Sequence, residues 1–317
     1  MTGPATSTQR RVLVLAHTRR DEARDVARAF VDKLGGHGIV VRLLRPEAEA
    51  LGVVEDAAVE VTDSESDASR GCELTVVIGG DGSILRAAEL THASMTPVLG
   101  VNLGHVGFLA EAEQDDVAAT IDAIVRQDYT TEDRLTLDVR AYVGGRQVYE
   151  TFALNEASVE KAARERMLEV VLEIDGRPLS RWGCDGVVCA TPTGSTAYNF
   201  SAGGPVVWPQ VEALCVVPLS AHALFARPMV VAPDALIAVE VLEGNQGSGV
   251  LWCDGRRSLD LPPGARIEVR RGQRPVRLVR WQHEPFADRL VAKFGLPVEG
   301  WRGAAERRQA RAQEEAP

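Results

Sequence analysis

Lysine is almost missing from this chain: of 35 basic residues only Lys33, Lys161 and Lys293 are lysines. The arginine bias, together with abundant Ala, Val and Gly, is compositional and singles out no site. The balance of charge is acidic, with a formal net charge of −10. A general binder of nucleic acid or of anionic membrane is therefore excluded, because phosphate backbones demand a positive surface. A small anion held locally by backbone amides remains open. The five cysteines (Cys72, Cys184, Cys189, Cys215, Cys253) are odd in number and match no zinc or disulfide spacing, so they read as reduced thiols. No run of about 18 apolar residues could span a bilayer, and Met1 to Arg10 is polar with no apolar signal core. No Walker A sequence occurs, nor any Pro-, Gly- or Ser-rich linker. What these absences leave is a cytoplasmic globular protein. Its 317 residues, 45% of them hydrophobic, suffice for two domains packed closely around a cleft.

The first half alternates strand and helix. Arg11-Val-Leu-Val-Leu-Ala16 is continuously apolar, and Ala23, Val26, Ala27, Phe30, Val31 and Leu34 recur at helical spacing before Gly35-Gly36. Ile39 to Leu44 returns as a strand, as do Leu74 to Ile78 and Pro97 to Leu103. Unbroken apolar runs of this kind suit a buried parallel sheet. Glu47 to Glu73 is acidic without a clear period and reads as a mobile loop or short helix over the site. Beyond about Arg134 the pattern changes. Leu135 to Arg140 alternates strictly, and Gly144-Gly145, Asp175-Gly176 and Asp254-Gly255 are hairpin signals between short strands. Helical character returns at Pro285 to Phe294. Arg302 to Pro317 reads as a frayed tail.

The chain is organised around Leu74-Thr-Val-Val-Ile-Gly-Gly-Asp-Gly-Ser83, a strand that breaks into glycines and continues as a helix. Gly79, Gly80 and Gly82 would let the backbone approach a bulky anion, and the helix start offers unpaired N–H groups and a positive dipole end. Asp81 would repel a phosphate, so it suggests another job: accepting a hydrogen bond from a hydroxyl or meeting a cation. A tight turn that tolerates an aspartate is the plain alternative. A second unusual stretch follows Val187 to Ala190. From Thr191 to Pro205 the residues are mostly small or hydroxylated, with Tyr198 and Phe200 among them. Such a loop lets a ligand lie against the backbone while an aromatic covers a ring.

Gly79-Gly-Asp-Gly82, Leu154-Asn-Glu156, Cys184-Asp-Gly186 and Thr191-Pro-Thr-Gly-Ser-Thr-Ala-Tyr-Asn199 with Ser201-Ala-Gly-Gly-Pro205 together resemble the NAD kinase family, in its order and at its spacing. Val98 to Gly104 and Gly107-Phe-Leu match as well, and the similarity runs from Val12 to Trp301 and suggests the actinobacterial branch. Ser83 stands where threonine is commoner; His105, Val106 and Leu219 to His222 fall in variable regions. The Gly-Gly-Asp-Gly turn alone is shared with lipid kinases and phosphofructokinases; the combination is specific.

The resemblance implies an α/β, Rossmann-like N-terminal domain (residues 1–133) and a β-rich, β-sandwich-like domain (134–274). A segment at 275–301 would return to the first domain, with the tail at 302–317. It implies transfer of a phosphoryl group from ATP or polyphosphate, with Mg²⁺, to the adenosine-ribose 2′-hydroxyl of NAD, and assembly as a homodimer or homotetramer. Asp81 would face that hydroxyl. Asn155 and Glu156 would hold the dinucleotide, Asp185 would contact the nicotinamide-ribose side, and Thr196, Ala197, Tyr198, Asn199, Phe200 and Ser201 would line it. Arg86, one helical turn after the glycines, would face anionic oxygens or simply solvent. With no lysine near the turn in sequence, backbone amides, Mg²⁺ and arginine would meet the donor's charge. The rival readings are a lipid kinase with an apolar groove and a non-catalytic sensor of NAD or NADP.

Overall fold

The computed structural model describes residues 9–104, 107–112, 116–163, 166–245, 247–281 and 285–298. The chain begins β1 (Arg11–Ala16), α1 (Asp21–Gly36), β2 (Val40–Leu44), α2 (Arg45–Leu51), β3 (Val59–Thr62). It continues β4 (Leu74–Ile78), α3 (Asp81–Thr91), β5 (Val98–Val101), α4 (Val117–Arg126), β6 (Thr130–Arg134). Six strands follow: β7 (Leu137–Val143), β8 (Arg146–Ala153), β9 (Glu156–Lys161), β10 (Leu168–Ile174), β11 (Arg177–Cys184) and β12 (Gly186–Ala190). After the one-turn helix α5 (Tyr198–Ser201) come β13 (Leu214–Leu219), β14 (Met229–Val231), β15 (Ile237–Val241), β16 (Gly249–Cys253), β17 (Arg257–Leu261) and β18 (Arg266–Arg271). Strand β19 (Val276–Arg280) and helix α6 (Phe286–Phe294) close the described chain.

The first sheet has the order β3-β2-β1-β4-β5-β19-β6. All its pairs are parallel except β19 with β6. Its central strands β1, β4 and β5 are apolar on both faces because helices cover both. Ala23, Val26, Ala27, Phe30, Val31 and Leu34 of α1 pack on one side, and Ile84, Leu85, Ala87, Ala88 and Leu90 of α3 pack with the other core cluster. Burying each such side chain contributes roughly 1.5–3 kcal/mol. The 3.6-residue period of α1 is what aims all six at the sheet. The helix runs through Gly35-Gly36 rather than stopping there; the chain leaves it at Gly38, whose φ of 75° is left-handed.

Two antiparallel sheets, β11-β10-β15-β18-β7-β8 and β14-β13-β12-β9-β16-β17, form the second layer pair. Leu137, Val139, Val170, Val239 and Ile267 of one share a core with Val159, Val187, Val216 and Leu251 of the other. The architecture is an α/β sheet with helices plus a β-sandwich. Positive φ at Gly144 and Gly145, at Asp175 and Gly176, and at Asp254 and Gly255 makes the three hairpins.

Two parts differ from the sequence reading. Glu47 to Glu73 contains helix α2 and edge strand β3, whose Val59 and Val61 pair parallel to β2. Flanking acidic residues hid that short alternation. Thr130–Arg134 is a strand of the first sheet, and polar Thr-Thr-Glu-Asp-Arg carries no strand signal because it lies at an edge. The expected tail at 302–317 and the variable pair His105–Val106 lie outside the described residues. Among the described residues no helix is long and apolar enough to cross a membrane.

Candidate active site

From β1 the chain turns through β2 to β3 on one side of the sheet, while β4 leads to β5 on the other. Strand order therefore reverses between β1 and β4, and a crevice opens beyond their C-terminal ends, where open α/β sheets take ligands. A cleft of about 680 Å³ lies there. The glycine turn forms its floor, and Thr18, Asn102 and Gly107 are among its walls.

The glycines divide the work. A Cβ on Gly79 would press on Ser83, whereas a Cβ on Gly80 or Gly82 would meet open space. Gly79 is there for packing, and Gly80 and Gly82 leave the cleft bare for a ligand. Helix α3 starts at Asp81 itself, with Gly80 as its cap. The Asp81 carboxylate accepts the N–H groups of Phe108 (3.2 Å) and Leu109 (3.2 Å). Gly107 makes this approach possible, since a Cβ there would stand 2.5 Å from Asp81 Oδ1.

Among the described residues Asp81 is the one carboxylate on the cleft wall, which also carries the cations Arg19, Arg20, Arg86, Arg256 and Lys293. Charge of one sign around a concave site focuses attraction for an anion. Four of these cations escaped the sequence reading. Arg19 and Arg20 follow β1, Arg256 arrives on the β16–β17 turn, and α6 folds back to bring Lys293, so the cleft does hold a lysine. Arg86 lines the cleft too, but its guanidinium already bonds Glu47 (2.8 Å) and Glu65 (3.3 Å).

Asn155 lies in the link between β8 and β9 and Glu156 opens β9, both buried. What holds them is Asp254, read from sequence only as a hairpin residue. Its buried carboxylate accepts the N–H groups of Leu154 (2.9 Å), Asn155 (2.7 Å) and Glu156 (3.4 Å) and bonds Arg257 (2.6 Å). No pattern in the sequence marks such a residue, because the carboxylate turns inward toward a loop 100 residues away. Gly194 packs directly against the backbone of Asn155, where no Cβ would fit. Thr191 donates its hydroxyl to the Leu154 carbonyl at 2.6 Å.

Burial, then repulsion from Asp254, pushes the Glu156 carboxyl up to about 8, opposed by the Tyr198 N–H it accepts. Its Oε2 has no hydrogen-bond partner in the free protein. At neutral pH Glu156 therefore carries a proton and offers one donor and one acceptor. Between about 4.5 and 8 the folded chain keeps a proton that the unfolded chain has released. Stability falls as pH rises through that window and levels off above it. Each unit is worth about 1.4 kcal/mol. Glu156→Gln should flatten this slope, so that its Tm exceeds that of the parent chain by several degrees more at pH 9 than at pH 5. Parallel slopes in thermal melts across that range would show that Glu156 is not the group responsible.

Tyr198 sits over this face. Its hydroxyl bonds Glu160, and Glu156 and Asp185 act on it at longer range. Asp185 lies at the far end of β12 from Ala190, which pairs with Glu156, and bonds Lys161 at 2.6 Å. The Lys161 ammonium holds the Asp185 carboxyl below its usual range. Asn199 is fully buried and ties its loop to the carbonyls of Ser195 (3.2 Å) and Pro205 (3.0 Å). Thr196 bonds the Thr193 carbonyl, Ala197 is half-buried, Ser201 is exposed, and Phe200 stacks on Phe294 with centroids 4.6 Å apart.

A switch-point cleft in a parallel sheet, joined to an antiparallel sandwich that supplies part of its wall, defines a two-domain α/β protein of the nucleotide-binding kind. Comparison makes this particular. Residues 12–129 match the ATP-NAD kinase N-terminal domain and residues 154–281 the ATP-NAD kinase C-terminal domain. The NAD kinase of Thermobifida fusca (strain YX) is 60% identical over 308 residues, covering 95% of this chain and 94% of that one. A crystal structure of an NAD kinase from Archaeoglobus fulgidus in complex with ATP superposes with a TM-score of 0.66 at 26% identity, over 90% of this chain and 98% of that one. Yeast NADH kinase complexed with NADH shares the fold, with a TM-score of 0.83 at 24% identity over 92% and 89% of the two chains. The chain belongs to the NAD kinase family.

Proposed function

We propose that the chain moves the terminal phosphoryl group of ATP, or of polyphosphate, onto the adenosine-ribose 2′-hydroxyl of NAD, with Asp81 facing that hydroxyl. The observation that carries this reading is the position of Asp81: the one carboxylate among the described residues of a cationic cleft, its orientation held by two backbone N–H groups. The 2′-oxygen forms a bond to the terminal phosphorus, the bond from that phosphorus to its bridging oxygen breaks, and ADP or the shortened polyphosphate leaves. The hydroxyl proton passes to Asp81. A free aspartate is a weak base, but phosphoryl transfer has a loose transition state and needs the proton taken only late.

The donor's phosphates would lie along Gly80 and Gly82, met by Arg19, Arg20, Arg256 and Lys293. Arg86 and Arg256 would contribute less, since Glu47 and Glu65 already match the charge of the first and Glu89 that of the second. Asn155, Glu156 and Tyr198 would hold the dinucleotide, with Asp185, Thr196, Ala197, Phe200 and Ser201 around it. Asn199 would act by shaping their loop. The family depends on a divalent metal, and the residues here fit one that arrives with the donor. Among the described residues no group of three His, Cys, Asp or Glu could hold an ion by itself. Mg²⁺ characteristically binds through one or two carboxylates plus substrate phosphates. Asn102 would face it beside the donor's phosphate oxygens, from which the metal draws charge when bound.

Exposed Leu224, Phe225 and Val230 supply apolar surface for a homodimer or homotetramer. Five free thiols suit a cytoplasmic setting. Mixing the protein with NAD, Mg²⁺ and either ATP or polyphosphate, and detecting product with an NADP-specific dehydrogenase, should show NADP formation. NAD binding without turnover on either donor would leave a sensor in place of an enzyme. In the same assay Glu156→Ala should weaken NAD binding by about 1–3 kcal/mol, the cost of a lost buried hydrogen-bonding group. Unchanged affinity and rate would remove Glu156 from the site.

A further inference from the structure

We propose that Arg289 of α6 is a positioning residue for phosphoryl transfer: it fixes the loop whose backbone N–H groups orient Asp81. This rests on the reading of Asp81 as the group facing the 2′-hydroxyl. Arg289 is buried, with 4% of its surface exposed. Its guanidinium donates to the carbonyls of Phe108 (3.2 Å) and Ala110 (2.8 Å) and to Glu111 Oε2 (2.7 Å). The residues it holds interleave with the two that hold Asp81, since Phe108 takes part in both contacts and Leu109 stands between the two carbonyls. Only two links separate α6 from the Asp81 carboxylate: guanidinium to carbonyl, then amide to carboxylate.

Charge neutralisation alone does not account for the arrangement. Glu111 is already paired with Arg280 at 2.5 Å and accepts the Trp281 N–H at 3.3 Å. What Arg289 adds is a planar fork able to hold two main-chain carbonyls and a carboxylate at once, which an ammonium cannot reproduce. The same helix makes other contacts with the site. Phe286 and Phe294 pack on the Phe108 ring at 5.9 Å each, Phe294 stacks on Phe200, and Lys293 lines the cleft. Helix α6 thus joins the loop behind Asp81 to the small-residue stretch proposed for the dinucleotide. Residues positioned this way act on the rate through geometry, and small misplacements of a reacting group are costly.

The test is a double-mutant cycle of Arg289→Gln and Asp81→Asn, with kcat, KM for NAD and Tm measured for each protein at a temperature well below every Tm. Arg289→Gln alone should lower kcat by about 10- to 100-fold with KM for NAD changed less than about threefold, the pattern of an interaction made in the transition state. In the Asp81→Asn background the same change should cost less than about threefold in kcat, because residues acting through one group are non-additive. Arg289→Lys, which keeps the charge beside Glu111, should fold and still lose a substantial part of the rate. Equal losses in both backgrounds, or normal kcat in Arg289→Lys, would overturn the proposal and leave Arg289 a stabilising residue. Near-normal turnover in Asp81→Asn alone would instead sink the reading of Asp81 on which it rests.

Discussion

Asp81→Asn is expected to lose about 10²- to 10⁴-fold in turnover, the usual contribution of a positioned general base, while NAD affinity changes by no more than a few-fold. Asn is nearly isosteric, and the turn depends on Gly79 packing against Ser83, not on the charge of residue 81. The substitution is nevertheless not silent behind the site. The carboxylate accepts two N–H groups, from Phe108 and Leu109; an amide has one oxygen and would present its own donors to the second. One N–H then loses its acceptor, at a cost of about 1–3 kcal/mol. The variant should melt somewhat lower, bind NAD nearly as well in calorimetry, and fail in the coupled NADP assay. That separation marks an interaction made mainly in the transition state. Turnover close to that of the parent chain would reduce Asp81 to a residue that pins the 107–109 loop.

Local chemistry made some of this readable from residues alone. Gly144-Gly145, Asp175-Gly176 and Asp254-Gly255 announce hairpins because a type I′ turn needs positive φ twice, and few residue pairs tolerate it. The apolar runs of β1 and β4 and the six-residue stripe of α1 are equally local signals. Edge strands β3 and β6 were not readable: acidic neighbours mask the short Val59–Val61 alternation of β3, and β6 at the far edge carries no apolar period. The cleft was readable only in its floor. Its cations come from four separate places in the chain, and nothing in the surroundings of Arg256 or Lys293 says that they meet. Glu156 was visible by its motif, but its protonation was not. That depends on burial and on Asp254, 98 residues away, whose inward turn only the folded sandwich reveals.

The glycines permit the sharpest test of which parts of the site are architecture and which are cradle. Gly194→Ala is expected to destabilise the protein severely. A Cβ there would overlap the carbonyl and Cα of Asn155, and the obstacle is main chain, which no rotamer change can move aside. The Asn155 backbone is itself fixed by the Asp254 carboxylate and by the Thr191 N–H at 2.9 Å, so it cannot yield without losing those bonds. Overpacking in a well-packed interior costs typically about 1–3 kcal/mol and sometimes more, and a clash between two pinned backbones belongs at or above the top of that range. The Tm should drop by several degrees, and NAD binding should fall with it. Gly82→Ala should do the opposite. Its Cβ meets open space in the first turn of α3, and alanine in a helix gains up to about 1 kcal/mol over glycine. The protein should melt at the same temperature or higher, yet the methyl would stand where the donor's phosphates approach, so KM for ATP should rise at least tenfold. Thermal melts and donor titrations on the two variants decide the matter. A stable, NAD-binding Gly194→Ala would mean that the Thr191–Pro205 loop is not locked against Asn155, and an unaffected donor KM in Gly82→Ala would move the phosphates off the glycine turn.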